Sequence, residues 1–410
     1  MHVAPFAQRK EYFDAIGTNS TTLSTAPRLC RIVERRFHGC SELSRSFLIF
    51  ACVILIAGAS TAQPTSPPLR VAIVGLVHGH VDGFFQHNLQ RTDIEIVGIS
   101  DPSQALFARY AKLFNLDPKL YYTSLDDMLE KTHPQAALVY TSTYDHRAVV
   151  ETCARHGVHV MMEKPLAVSY ADALAIADAA KRGNIHVLVN YETTWYRSNH
   201  AVYNLVQRHA LGGIRKIVVH DGHRGPLEIG VQPEFLAWLT DPKLNGAGAL
   251  FDFGCYGADL STWLVNGALP LSVTAVTSTI KPNIYPKVDD DAVIVLKYPK
   301  TITIIQASWN WPFDRKDMEV YGETGYAITV ARDDVRIRLQ GEKERTFEAD
   351  ATAVSAPYDD SLNELRAVVL HGAKPDSLTS LETNLIATEI LDAARTSAAS
   401  GKTVALPLLE

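Results

Sequence analysis

The chain has 410 residues, 47% of them hydrophobic, 20% charged and 9% aromatic, with a net charge of −6. That composition excludes a disordered, collagenous or disulfide-built protein. Its mild acidity argues against nucleic-acid partners and anionic membranes, both of which favour a basic face.

The first feature along the chain is an apolar run from Phe47 to Ala59. As a helix it spans roughly 20 Å, short of the about 20 residues that a membrane core requires. Arg28, Arg31, Arg35, Arg36 and Arg45 precede it, and Ser60-Thr61-Ala62 supplies small residues for a cut after Ala62. This is the layout of a secretory signal peptide at about 46–62. The expectation is an exported, periplasmic protein with no stable membrane insertion after cleavage; an uncleaved anchor or a buried helix is the alternative. Arg35-Arg36 raises the twin-arginine route, which the following Phe-His-Gly-Cys fits poorly. Of five cysteines, cleavage leaves Cys153 and Cys255, for which no disulfide is expected. Residues 63–68, rich in proline, read as a linker.

From Leu69 strands and helices alternate. Val71–Leu76, Glu95–Ser100, Ala136–Thr143, His159–Lys164 and His186–Glu192 have the apolar character of buried parallel strands. Helices are expected over 103–114, 145–156 and 170–181. The first should bury Ala105, Leu106, Ala108 and Leu113; the last should be capped by Ser169 and Asp172. The pattern predicts an α/β chain with a doubly wound parallel sheet over 69–190, a Rossmann domain for NAD(P), and a second domain over 191–410.

The loop after the first strand departs from the dinucleotide fingerprint G-x-G-x-x-G. Gly75 is in place, Val77 holds the second glycine position, and His80 holds the third beside Gly79. A displaced loop is expected, with His78 or His80 near the phosphates or capping the helix. Asp101 ends the second strand 26 residues after Gly75. A carboxylate there can accept ribose hydroxyls and repels a 2′-phosphate, favouring NAD over NADP; a turn aspartate before Pro102 is the alternative.

Three stretches, VYTSTYDHRAVVETCARHGVHVMMEKPLA, GAGALFDFGCYGADLSTWL and the closing segment from Glu364 to Pro407, resemble the glucose–fructose oxidoreductase / inositol dehydrogenase / MocA family. The resemblance runs from about Leu69 to Pro407. It implies a Rossmann half, a C-terminal α/β domain on an open, mostly antiparallel sheet, and homo-oligomer contacts through that sheet. The residues agree: the segments around 216–222, 271–280, 291–299, 301–309, 326–331 and 335–340 alternate or are β-branched, with a hairpin expected near Pro299-Lys300.

By resemblance, Lys164 of Glu163-Lys164-Pro165 sits where nicotinamide and substrate meet. Glu163 helps hold the nicotinamide ribose or the loop, and the bond before Pro165 is often cis. Asp252 and Tyr256 are the remaining catalytic candidates. Many relatives carry His at the second position; Tyr256 places this chain nearer the glucose–fructose oxidoreductase and dihydrodiol dehydrogenase branches. A tyrosine with an ordinary pKa of about 10 is a poor base, so Lys164 is expected to lower it, making Tyr256 the proton donor and acceptor. Asp252 would orient either the substrate hydroxyl or Lys164. Thr141, Ser142 and Tyr144 end a Rossmann strand, and His146 is expected near the cofactor or as a structural cap. Trp195, Tyr196 and Arg197 are candidates for binding substrate, with His220, His223 and Arg224 behind them. No metal is expected.

The function implied is an NAD(P)-dependent oxidoreductase acting on a sugar, polyol or cyclic alcohol, with a tightly bound cofactor, since nicotinamide is scarce outside the cytoplasm. The alternatives are a redox-neutral NAD-dependent glycosidase or lyase, and a non-catalytic sugar or dinucleotide sensor. Retention of Lys164, Asp252 and a protic residue at 256 weighs against the sensor.

Overall fold

The computed structural model describes residues 67–408. The expected signal segment at 46–62 lies outside the described residues. Among those described, no helix is long and apolar enough to cross a membrane.

The first sheet contains β1 (Leu69–Val74), β2 (Ile94–Ser100), β3 (Tyr121–Tyr122), β4 (Ala136–Val139), β5 (His159–Glu163) and β6 (Val187–Asn190). All its pairs are parallel, in the order β3-β2-β1-β4-β5-β6. This is the doubly wound Rossmann order, whose strand direction of growth reverses between β1 and β4. Helices α1 (His80–Asn88), α2 (Gln104–Phe114), α3 (Leu125–Thr132), α4 (His146–Arg155) and α5 (Tyr170–Gly183) connect the strands. Ser169 caps α5 as expected: its Oγ accepts from the Asp172 N–H and donates to the Asp172 carboxylate.

The face expected for α2 is corrected. Phe107 and Tyr110 are its buried residues, while Leu113 is exposed. Phe107 stacks on Tyr121, and Tyr110 packs on Phe85 and Phe114. The aromatic rings bury more apolar area than the alanines, so they set the helix's rotation.

The second half runs through α6 (Arg197–Gln207), β7 (Ile214–Gly222), α7 (Pro226–Ile229), α8 (Pro233–Leu239), α9 (Pro242–Asn245), α10 (Ala249–Asp252), α11 (Gly254–Leu264), β8 (Ser272–Ser278), β9 (Asp291–Lys297), β10 (Ile302–Ser308), β11 (Arg315–Gly322), β12 (Gly325–Thr329), β13 (Asp334–Leu339), β14 (Arg345–Glu348), α12 (Ser361–His371), α13 (Leu381–Ser400) and β15 (Val404–Ala405). The sheet order is β14-β13-β12-β11-β7-β10-β9-β8-β15. Only β7–β10 is parallel; the hairpin β9–β10 pairs Lys297 with Ile302, as expected.

Side chains alternate across this sheet. Its inner face holds Ile217, Val219, Met318 and Val320 in one cluster, and Ile294, Ile305 and Ala307 in another. The second cluster is continuous with Val74, Val139 and Val160 of the Rossmann sheet. Helix α13 lies against both β8 and α5, and Leu362, Leu365 and Val368 of α12 join the core around β1. The closing helices therefore pack back on the Rossmann half.

Candidate functional site

The site begins with the turn after β1. Gly75 has φ +82°, and a Cβ there would stand 2.5 Å from Thr141 Cγ2 and 2.9 Å from the Thr141 nitrogen. Only glycine fits a positive φ against that wall. The next residue is tied down as well: Leu76 N–H donates to Asp101 Oδ2 at 2.8 Å, while Asp101 Oδ1 accepts from Ser103 N–H at 2.8 Å. Asp101 is 2% exposed, and burial raises its pKa. The carboxylate therefore braces the glycine loop, a duty that its position at the strand end does not reveal.

The histidines of the loop diverge. His78 is buried with its ring 4.5 Å from Phe235 and 5.5 Å from Trp238. Its Nδ1 accepts from the His80 N–H at 3.2 Å, and its Nε2 has no hydrogen-bond partner among the described residues. His80 Nδ1 lies 2.9 Å from Glu163 Oε2. Helix α8 covers this loop: Trp238 Nε1 donates to the Val77 carbonyl at 3.2 Å, and Gln232 Nε2 to Asp82 at 2.6 Å. The Arg109–Glu234 pair ties α2 to α8.

At the end of β5 stand Glu163, Lys164 and Pro165. The Lys164–Pro165 peptide is cis. His146 acts behind this loop: its Nδ1 donates to the carbonyls of Pro165 and Leu166, at 3.1 and 3.2 Å. These bonds brace the loop of Pro165 and Leu166, not a helix end. The conformational role of His146 follows from α4 starting here, beside the strand end that Thr141 and Ser142 form. Thr141 walls Gly75, and Ser142 Oγ donates to Asp145. Tyr144 is exposed, with Lys243 over its ring.

The junction of α10 and α11 brings the other half of the site. Lys164 Nζ donates to the carboxylate and to the carbonyl oxygen of Asp252, the latter at 3.0 Å. Asp252 Oδ2 accepts from Trp309 Nε1 at 2.9 Å. Both carboxylate oxygens are thus engaged, and of its two expected roles Asp252 takes that of holding Lys164. Burial alone would lower the Lys164 pKa and raise that of Asp252; their mutual attraction outweighs it, so Lys164 is raised and Asp252 lowered.

Tyr256 is buried against Tyr191 and Phe253, with Lys164 Nζ 5.4 Å and Lys316 Nζ 5.5 Å from its ring centroid. The expectation that Lys164 lowers its pKa is corrected. Burial, then the nearby Glu192, Asp252 and Asp221 carboxylates, push the phenol well above its ordinary value. Asp252 pairs with Lys164 and Glu192 with Lys316, and at the phenol burial and the carboxylates prevail over both cations. Tyr256 keeps its proton at neutral pH.

Other candidates separate clearly. Trp195 Nε1 donates to Asn190, whose amide reaches Glu163, so Trp195 borders the site. Tyr196 donates to Glu192 and supports it. Arg197 is drawn away: it starts α6 and pairs with Asp333 at 2.8 Å, correcting its assignment to the substrate. His220 points to the other face of its strand from Asp221 and pairs with Asp317. His223 stays at the site, edge-on to Phe253, and burial drops its pKa to about 3. The Arg224 carbonyl accepts from Lys281.

Sequence reasoning missed Glu192, Asp221, Trp309 and Lys316. Asp221 is fully buried, neither carboxylate oxygen has a hydrogen-bond partner among the described residues, and burial raises its pKa strongly. Its strand partner across β11 is Lys316. The available signal was alternation: Lys316, Met318 and Val320 share one face of β11, a strand whose charged start hides it.

A dinucleotide fits this edge at the Gly75 turn, at the start of α1 and at the strand ends carrying Thr141, Ser142, Glu163 and Lys164. The fit is unusual at Val77 and at the loop's N–H groups, several of which bond within the loop. The pattern of the oxidoreductase family with the NAD-binding Rossmann fold matches residues 69–191, and that of the GFO/IDH/MocA C-terminal domain matches residues 200–328. The chain belongs to the GFO/IDH/MocA oxidoreductase family, whose N-terminal domain binds NAD. It is 26% identical to trans-1,2-dihydrobenzene-1,2-diol dehydrogenase of Xenopus laevis over 46% of this chain and 53% of that protein. To the Xenopus tropicalis enzyme it is 24% identical over 75% of this chain and 90% of that one. The chain thus spans about half the length of the first relative. The fold is that of the aldose-aldose oxidoreductase from Caulobacter crescentus complexed with glycerol (TM-score 0.68, 22% identity, 83% of this chain and 100% of that one). It is also that of an inositol dehydrogenase homologue from Azotobacter vinelandii complexed with NAD+ (TM-score 0.70, 18% identity, 83% and 98%).

Proposed function

We propose that this protein is an NAD-dependent dehydrogenase of a sugar, polyol or cyclic alcohol. The observation that carries the reading is the buried Lys164–Asp252 pair beside Tyr256, at the carboxyl edge of a Rossmann sheet. When bound, the nicotinamide supplies a hydride acceptor and donor. Lys164 is held as an ammonium and stabilises the substrate oxygen as its charge develops. Tyr256 holds its proton, so it gives that proton to an alkoxide in reduction. In oxidation the same phenol hydrogen-bonds the substrate oxygen and orients the hydroxyl for loss of its proton. General acid–base help of this kind contributes roughly 10²–10⁴ in rate.

A polyhydroxylated substrate is favoured because Asp221 and Glu192 offer acceptors for hydroxyl donors, and Trp195 an apolar edge. Sugar-like substrates also recur among the relatives: one structural neighbour is a levoglucosan dehydrogenase bound to NADH and levoglucosan. The arginines from Arg28 to Arg45, the apolar run Phe47–Ala59 and the small residues up to Ala62 support export, and export favours a cofactor that stays bound. Exposed Val276, Val293 and Ile302 on the outer face of the second sheet support a homo-oligomer through that face.

The test is to purify the full chain without added cofactor, add NAD, and follow the nicotinamide absorbance band with a panel of polyols, aldoses and glycosides. Reduction by a member of the panel, lost in Lys164→Ala and Tyr256→Phe, supports the reading. Equal rates in both variants and wild type overturn the catalytic assignment.

A further inference from the structure

The glycine loop of a Rossmann domain ordinarily offers N–H groups and a helix N-terminus to a pyrophosphate. Here most of those donors are already engaged, the N–H groups of Val77 and Gly79 excepted. Leu76 N–H bonds Asp101, His78 N–H bonds the Tyr140 carbonyl at 3.0 Å, and His80 N–H bonds His78. Val81 and Asp82 N–H return to the carbonyls of His78 and Gly79, at 3.1 and 3.2 Å. Beside the few donors that remain, the loop presents two imidazoles.

Those imidazoles converge on a carboxylate. One ring nitrogen each from His78 and His80 and one oxygen of Glu163 lie within 4.8 Å of one another. They come from three places that the fold brings together: the β1–α1 loop, the first turn of α1 and the end of β5. His78 and Glu163 are 1% and 4% exposed, so two of the three donors are already stripped of water. His78 keeps a buried ring nitrogen without a partner among the described residues, and Glu163 Oε1 has only a 3.3 Å contact from Asn190. Lys164, the nearest cation in sequence, is already paired with Asp252.

The geometry points to a bound divalent transition-metal ion held by His78, His80 and Glu163. Two imidazoles and a carboxylate suit a zinc-class ion, which spaces tetrahedral ligands about 3.3 Å apart and leaves a fourth position for an outside oxygen. The ion would add positive charge to a loop most of whose N–H groups are engaged. The other grouping of this kind, His220 with Asp317 and Glu319, differs because Arg315 already occupies both oxygens of Asp317.

The inference concerns a second ligand at the site proposed above, and its test reads metal, not turnover. The full chain is stripped with a chelator, dialysed and titrated with Co²⁺, followed by visible absorbance and by metal analysis after gel filtration. One equivalent per chain is expected, with binding weakened about tenfold or more in His80→Ala and in Glu163→Gln. His220→Ala should bind as wild type. Circular dichroism confirms that each variant is folded. Absence of Co²⁺ binding by the wild type, or unchanged binding in both site variants, overturns the inference. NAD binding, measured in parallel on stripped protein, separates the readings. Retained NAD without metal overturns this inference alone; retained metal without NAD supports it and overturns the dinucleotide reading.

Discussion

Asp252 grips Lys164 twice, by its carboxylate and by its own carbonyl oxygen. The cation is therefore fixed to the first turn of the C-terminal half's central helices, although it arises from the Rossmann half. Trp309 holds the remaining carboxylate oxygen, so the aspartate itself cannot swing.

Asp252→Asn should leave Lys164 buried without a counter-charge. Removing one member of a buried pair costs about 3–5 kcal/mol, measurable by urea unfolding. Burial would then dominate the ammonium, and the alkaline limb of the pH–rate profile should move to lower pH. An unchanged profile would show that Lys164 does not depend on Asp252.

Tyr256→Phe removes a hydroxyl and keeps the ring packing against Tyr191 and Phe253. Turnover should fall by about 10²–10⁴, while the midpoint of thermal unfolding stays close to wild type. Loss of stability with retained turnover would contradict the assigned role.

Gly75→Ala forces a Cβ toward Thr141 and a side chain onto φ +82°. The wall includes main-chain nitrogen and cannot simply rotate aside. Destabilisation of about 1–3 kcal/mol is expected, together with weaker NAD binding by titration calorimetry. A neutral result in both measurements would mean that the loop relaxes freely.

Glu364 gives a pH-dependent prediction away from the site. Burial raises its pKa to about 7, while Thr379 and the Asp376 N–H bond one oxygen and the other lacks a partner among the described residues. The folded pKa exceeds the unfolded value, so the contribution to stability is full below about pH 4.5 and is lost as pH rises through 7. Glu364→Gln should therefore be nearly neutral at pH 4.5 and stabilising by about 2–3 kcal/mol at pH 8. Equal effects at the two pH values would refute it.

The Rossmann half was legible because five of its six strands are short apolar runs bounded by glycine, proline or a cap, as with Ser169 before α5; β3, a pair of tyrosines, and α3 after it were too short to read. The motif residues Lys164, Asp252 and Tyr256 were legible by resemblance, and the structure brings them together. Their electrostatics were not legible, because pKa depends on Glu192, Asp221 and Lys316, which lie far off in sequence. Strand β11 escaped notice because Arg315, Lys316 and Asp317 interrupt its apolar alternation. Helix α8 escaped because its seven residues are too few for a periodicity, and its seat over His78 is a tertiary fact.

The hydrophobic cluster joining Val139 and Val160 to Ile294 and Leu391 runs without a break between the halves. Among the described residues, parting the halves would expose this shared core to water. Entry to the buried lysine must then be governed locally, by the short helices between β7 and α10, and heat should melt both halves in one cooperative transition.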